Sequence, residues 1–96
     1  MAEQEKINEY FLSLVFSLSA AAMQQMGKIS NPITNKTEKN LEQAKVSIDI
    51  IEMLVEKTKG NRTVEENKFL LSTLSDLQLN FVDELDKDSK TEHRKN

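Results

Sequence analysis

The sequence contains no cysteine and no tryptophan, and two glycines and one proline are its only strong backbone punctuation. Without cysteine the chain forms neither a disulfide nor a thiolate metal site, so it does not depend on an oxidising compartment. The scarcity of glycine and proline favours long helices joined by two connections. We therefore predict an all-α fold without a β-sheet.

Groups that usually carry enzyme chemistry are also scarce. The only histidine, His93, follows Leu85 in a segment without bulky apolar residues, so it cannot be a preorganised catalytic base. The sequence shows no serine–histidine or cysteine–histidine pair, no glycine-rich phosphate loop and no histidine–carboxylate metal pattern. We predict that the protein is not an enzyme and that it holds no cofactor and no metal.

The balance of charge argues against a general nucleic-acid-binding protein. The formal net charge is −3, whereas proteins of that class usually carry a basic stripe and a high isoelectric point. The first residues are acidic where a secretory signal would need a basic region. We expect a cytoplasmic protein that does not have nucleic acid as its partner.

The longest uncharged stretch runs from Tyr10 to Gly27. Its apolar residues occupy consecutive positions, so a helix formed here is apolar nearly all round and must be covered on several sides. The stretch reaches the lower limit of a membrane span. Its serines and glutamines favour a buried helix in a soluble bundle instead, as does the lack of Lys/Arg asymmetry between its flanks and of aromatic belts. We expect no membrane as a partner.

Apolar periodicity predicts three helices, over about residues 6–26, 40–59 and 64–84. Gly27 and Gly60 offer the left-handed backbone conformation in which many helices end. The apolar seam of the second helix contains Leu41, Ala44, Ile48, Ile51 and Val55, and Val46, Ile50, Met53 and Leu54 widen it. The sequence thus predicts a three-helix bundle.

The helix starts carry their own signals. Asn40 is predicted to cap the second helix, with Thr37 as the alternative, and Thr63 with Glu66 forms the capping box of the third. The connection before the second helix contains two bulky apolar residues, which we expect to anchor it on the bundle: Ile29 and Ile33.

The chain is short enough for one domain, which we place at residues 1–85. Residues 86–96 contain no bulky apolar side chain to offset the entropy of ordering, so we predict a disordered charged tail. Because three helices can bury only about one face each, we also predict that oligomerisation completes the bundle.

Positions three or four apart on the first helix form two rows. The bulkier row contains Phe11, Leu14, Val15, Leu18 and Ala22. The row of small residues contains Ser13, Ser17, Ala20, Ala21 and Gln24. Either row could enter the core. Because the second and third helices supply one apolar seam between them, we predict that the small row is left over and forms the oligomer interface.

Two polar clusters are further candidate sites. The junction between the second and third helices places basic residues beside a helix start, where a phosphate or carboxylate can bind; its candidate anion-binding residues are Lys57, Lys59, Arg62 and Thr63. Helix capping alone also explains these residue types. Asp49, Glu52 and Glu56 share a ridge that could ligate a cation, although a solvated acidic face is the simpler interpretation.

The segments Asn40–Lys45, Glu52–Leu54 and Glu56–Asn61 resemble the uncharacterised bacterial family called domain of unknown function 1844. The resemblance covers roughly residues 10–82. It implies a small, all-helical, cytosolic bacterial protein and carries no activity. Most members of that family carry an arginine where this chain has Gln78, so an anion contact of that arginine would be missing.

These observations support two functions. The first is a small cytosolic interaction or scaffold protein that works as a homo-oligomer, with itself or an unidentified protein as partner. The alternative is a weak anion- or RNA-binding module at residues 57–63.

Overall fold

The computed structural model describes residues 6–95, with side chains up to Ser89. It contains three helices, α1 (Glu9–Gln25), α2 (Leu41–Lys57) and α3 (Val64–Lys95), and no strand within the described range. The predicted all-α, three-helix fold is confirmed. None of these helices is both long enough and apolar enough to cross a membrane.

The predicted caps of α2 and α3 are confirmed. Asn40, rather than Thr37, caps α2, since its Oδ1 accepts a hydrogen bond from the Gln43 amide at 3.1 Å. At α3 the Glu66 amide donates to Thr63 Oγ1 at 3.1 Å, and the Thr63 amide donates to Glu66 Oε1 at 2.9 Å. These reciprocal bonds satisfy amides that a helix start otherwise leaves unpaired.

The two glycines end their helices as predicted. Gly27 has φ 78° and Gly60 has φ 85°, so both adopt the left-handed conformation that a side chain disfavours. Their positions set the lengths of α1 and α2. The chain can therefore turn back twice and bring all three helices together.

The core lies where the three helices meet. α1 packs against both α2 and α3, and α2 packs against α3. The buried apolar residues are Val15, Ala22, Met26, Ala44, Ile48, Ile51, Leu70 and Leu77. From the bulkier row of α1, Phe11 and Leu18 pack against this core. Leu14 belongs to the same predicted row but is 48% exposed, because it lies at the edge of the face that α1 turns inward.

The last helix is longer than the sequence predicted. We expected it to end near residue 84, whereas α3 continues to Lys95. The predicted disorder of segment 86–96 stays a prediction. Charged pairs support the turns around residues 84–88, which lack an apolar partner. Lys87 Nζ lies 3.1 Å from Glu84 Oε2 one turn earlier. Residues 1–5 of the predicted domain and residue 96 of the tail lie outside the described range.

Polar contacts, rather than its isoleucines, organise the connection between α1 and α2. Ile29 and Ile33 were predicted to anchor it, but they are 44% and 90% exposed. Asn31 stabilises the connection instead, through hydrogen bonds within it. Its Oδ1 accepts from the Ile33 amide at 2.8 Å, and its own amide donates to the Lys36 carbonyl at 2.8 Å.

A lysine at each end of this connection binds α3. Glu84 is only 6% exposed, and its carboxylate lies 2.7 Å from Lys28 Nζ and 2.8 Å from Lys39 Nζ. Asp83 adds a second carboxylate for Lys28 at 3.1 Å, and Asp88 adds one for Lys39 at 2.6 Å. We call this group the Glu84 cluster. It joins the α1–α2 connection to α3.

Candidate functional site

The predicted interface row of α1 lies opposite the core. Val15, Ala22 and Met26 are fully buried and define the side of α1 that faces inward. On the opposite side Ser13 and Ser17 are exposed, and the rest of the predicted row is half-buried: Ala20, Ala21 and Gln24. The structure therefore leaves this row accessible.

Large apolar side chains flank the small row. Tyr10 is 88% exposed, Phe16 66% and Leu14 48%. No charged residue occurs between Glu9 and Lys28, so the outward side of α1 has no charge along nearly its whole length. A contiguous exposed apolar surface on a small protein usually marks an interaction site.

A second exposed apolar stripe lies on α2. Val46, Ile50 and Met53 are 49%, 36% and 44% exposed. The sequence predicts that they widen the apolar seam of α2, but they lie outside its buried part, Ala44, Ile48 and Ile51. Their own spacing of four and three residues is the signal that separates them from it. This stripe was missed as a candidate surface.

In the predicted anion site, Arg62 donates its hydrogen bonds to other residues of the chain. Arg62 is half-buried, and its Nη1 donates to the Val55 carbonyl at 2.7 Å and to Thr58 Oγ1 at 2.9 Å. Its Nε and Nη2 donate to Asn67 Oδ1 at 3.1 and 3.0 Å. Each guanidinium nitrogen thus has a partner within the chain. Arg62 fastens the end of α2 to the start of α3.

A carboxylate of the chain itself occupies the helix start in this junction. Glu66, 7% exposed, accepts hydrogen bonds from the Thr63 amide at 2.9 Å and the Asn8 amide at 2.7 Å. These bonds lower the pKa of Glu66, so it is ionised at neutral pH and disfavours a second anion. Lys57 and Lys59 are exposed. The geometry gives the alternative anion- or RNA-binding function no support beyond these two lysines.

We expect Arg62→Met to lower the free energy of unfolding by about 1–3 kcal/mol, because it leaves part-buried acceptors without their donor. Urea unfolding followed by circular dichroism measures this change. Lys59→Met is the matched control, since it removes a positive charge from an exposed position in the same junction, and we expect a change within about 0.5 kcal/mol. Equal effects of the two variants would contradict the structural role of Arg62.

Two carboxylates of the acidic ridge on α2 bond to other residues of the chain. Asp49 pairs with Lys45 at 3.0 Å, and Glu52 accepts a hydrogen bond from Gln78 Nε2 at 2.8 Å. Within the described residues no group of acidic, histidine or cysteine side chains could hold a metal ion. Position 78 therefore faces a carboxylate, so a basic residue there would pair with Glu52.

Comparison with known proteins gives one match. A family model described as a domain of unknown function, DUF1844, matches residues 9–83. No curated protein and no solved structure shows a significant match.

Proposed function

The chain belongs to the DUF1844 family, and we propose that it is a small helical interaction protein that assembles with itself through the outward side of α1. We place it in the cytoplasm, because a chain without cysteine does not depend on an oxidising environment. On this proposal the protein works by contact with a partner and not by catalysis.

One observation carries the proposal: α1 exposes large apolar side chains on a side that has no charge. Tyr10 and Phe16 flank the small row at 88% and 66% exposure. Apolar surface in water costs about 25 cal/mol per Å² relative to burial. Covering this side with another helix recovers that free energy, and Ser13 and Ser17 let a second backbone approach closely.

We expect Ser17→Glu to dissociate the oligomer, because it buries an unpaired carboxylate at the centre of the contact. Multi-angle light scattering at micromolar concentration measures the mass, and circular dichroism shows whether the variant is folded. Ser75→Glu introduces the same charge at an exposed position of α3 and should leave the mass unchanged. A folded Ser17→Glu protein with the wild-type oligomer mass would show that the interface lies elsewhere. A wild-type mass of 11.0 kDa would refute self-assembly.

A further inference from the structure

The contact between α1 and α2 shows which of their sides are neighbours. The Gln25 carboxamide lies 2.7 Å from Ser47 Oγ, and the Asn40 amide donates to the Gln25 carbonyl at 2.7 Å. The end of α1 therefore meets the start of α2, so the helices are antiparallel. Residues that share a row with Gln25 and with Ser47 face each other along this contact. On α1 the row is Leu14, Leu18, Ala21 and Gln25; on α2 it is Gln43, Ser47, Ile50 and Leu54.

α3 covers one side of this helix pair. Glu52, which accepts from Gln78 of α3, lies on one side of the α2 contact row, and Val46 and Met53 lie on the other. On α1, the side away from α3 carries Tyr10 and Ser17. The exposed residues of the two helices, together with the half-buried Ala21, therefore form one continuous surface. We call it the α1–α2 face: Tyr10, Leu14, Ser17, Ala21, Val46, Ile50 and Met53.

We infer that the α1–α2 face packs against the same face of a second copy around a two-fold axis. The product is a four-helix bundle of two stacked helix pairs, in which α2 supplies about half of the contact. This inference rests on the proposed self-assembly and deepens it by naming the partner surface. It differs from an interface formed by α1 alone.

The distribution of charge favours a second copy of the chain as the partner of the α1–α2 face. None of the residues of the α1–α2 face is charged. Glu42 and Lys57 lie at the two ends of α2. Asp49, three residues from Val46 and four from Met53, borders the face, and its carboxylate is paired with Lys45 at 3.0 Å. A copy of the chain brings an equally uncharged surface, so the contact buries no unpaired carboxylate or ammonium group. A two-fold interface requires such self-complementarity, because each patch meets its own copy.

The size of the face also suits a second copy. α1 and α2 have 17 residues each, which at 1.5 Å per residue gives a length of about 25 Å. Two helices side by side are about 20 Å wide. The face therefore measures roughly 500 Å² per copy, and the two copies together reach about 1,000 Å², the area that a biological interface should clear.

We place the two-fold axis in the plane of the face and across the helices at mid-length, so the middle of each helix lies closest to its symmetry mate. Ser17 is the central residue of α1, and Ile50 lies beside the centre of α2. Side chains at these positions approach the second copy near the axis, while Tyr10 lies towards the rim. The geometry thus separates central from peripheral positions and makes the inference testable.

Met53→Glu tests the contribution of α2. We expect sedimentation equilibrium to show at least a tenfold rise in the dimer dissociation constant, with unchanged helicity. Leu79→Glu is the matched control: Leu79 is 69% exposed on α3, outside the face, and its replacement should leave dimerisation unchanged. If Ser17→Glu dissociates the oligomer and Met53→Glu does not, the two-helix interface is wrong while self-assembly through α1 stands. If the wild type is a monomer, both proposals fail.

Cysteine cross-linking tests the symmetry, and the chain has no cysteine of its own. With mild oxidation at micromolar concentration, Ser17→Cys should form a disulfide-linked dimer, because two-fold symmetry brings residue 17 close to its own copy. Ser75→Cys should remain mostly monomeric on a non-reducing gel. Equal cross-linking at both positions, or none at residue 17 in a protein that still dimerises, would overturn the two-fold arrangement.

Discussion

Ile51→Ala should lower the free energy of unfolding by about 3–4 kcal/mol, the largest effect that we expect from a single substitution. Ile51 has no exposed surface. It lies near the middle of α2, in the core cluster to which α1 and α3 also contribute buried residues. Alanine removes three carbon atoms and leaves a cavity that helices on both sides cannot fill without moving. Urea unfolding monitored at a fixed protein concentration measures the loss.

Ile33→Ala is the control for that experiment. It removes the same three carbon atoms from a side chain that is 90% exposed, so we expect a change within about 0.5 kcal/mol. The comparison separates burial from the chemistry of the substitution. A small effect at Ile51, close to that at Ile33, would mean that the three helices do not pack around the described core.

Glu84→Gln should cost about 2 kcal/mol of stability. Hydrogen bonds from Lys28 and Lys39 lower the pKa of Glu84 from 4.5 to about 2, against the opposing effect of burial. One pKa unit corresponds to about 1.4 kcal/mol, so this shift sets an upper limit of about 3.5 kcal/mol. Water around the partly exposed lysines screens the interaction, so the measured loss should be smaller.

The same cluster makes stability depend on acid pH. Because the pKa of Glu84 is lower in the folded chain than in the unfolded chain, its contribution is fully present well above pH 4.5. The contribution is lost as pH falls from about 4.5 towards 2. The stability of the wild type should therefore fall more steeply between pH 6 and pH 3 than that of Glu84→Gln. Parallel pH profiles of the two proteins would exclude this role.

Asp49→Asn provides the matched control for the cluster. Asp49 also pairs with a lysine, Lys45, but both side chains are more than half exposed. An exposed pair contributes little because water and salt screen it, so we expect a loss below about 0.5 kcal/mol. A similar loss in Asp49→Asn and Glu84→Gln would show that the burial of Glu84 adds nothing to its effect.

Local chemistry explains why the sequence predicted the helix boundaries well. Asn40 and Thr63 bond amides within three residues of themselves, and Gly27 and Gly60 need only their own left-handed backbone. Such interactions depend on neighbours in the chain, so a sequence displays them directly. The sequence did not predict that α3 continues past residue 84. Lys28 and Lys39, which pair with its charged turns there, are far away in the sequence.

For the same reason, the sequence indicated only the α1 part of the α1–α2 face as a candidate surface. The small row of α1 was identified because it lies in an uncharged helix, and the structure places it away from the core. Val46 and Met53 follow ordinary helical spacing, and only the position of α3 shows that they remain uncovered. Arg62 had the residue type of an anion ligand, but Val55, Thr58 and Asn67 take up its donors.

By itself, the sequence determined that the chain is all-helical, where α1 and α2 end, where α2 and α3 begin, and that α1 has no charge between Glu9 and Lys28. These properties follow from residue type and short-range spacing. Only the tertiary structure decided which side of each helix is buried, because burial depends on which helices meet. It joined the exposed stripe of α2 to the uncharged side of α1. It also brought the Asn8 amide to Glu66, whose carboxylate lies at the helix start that had been a candidate site for an external anion.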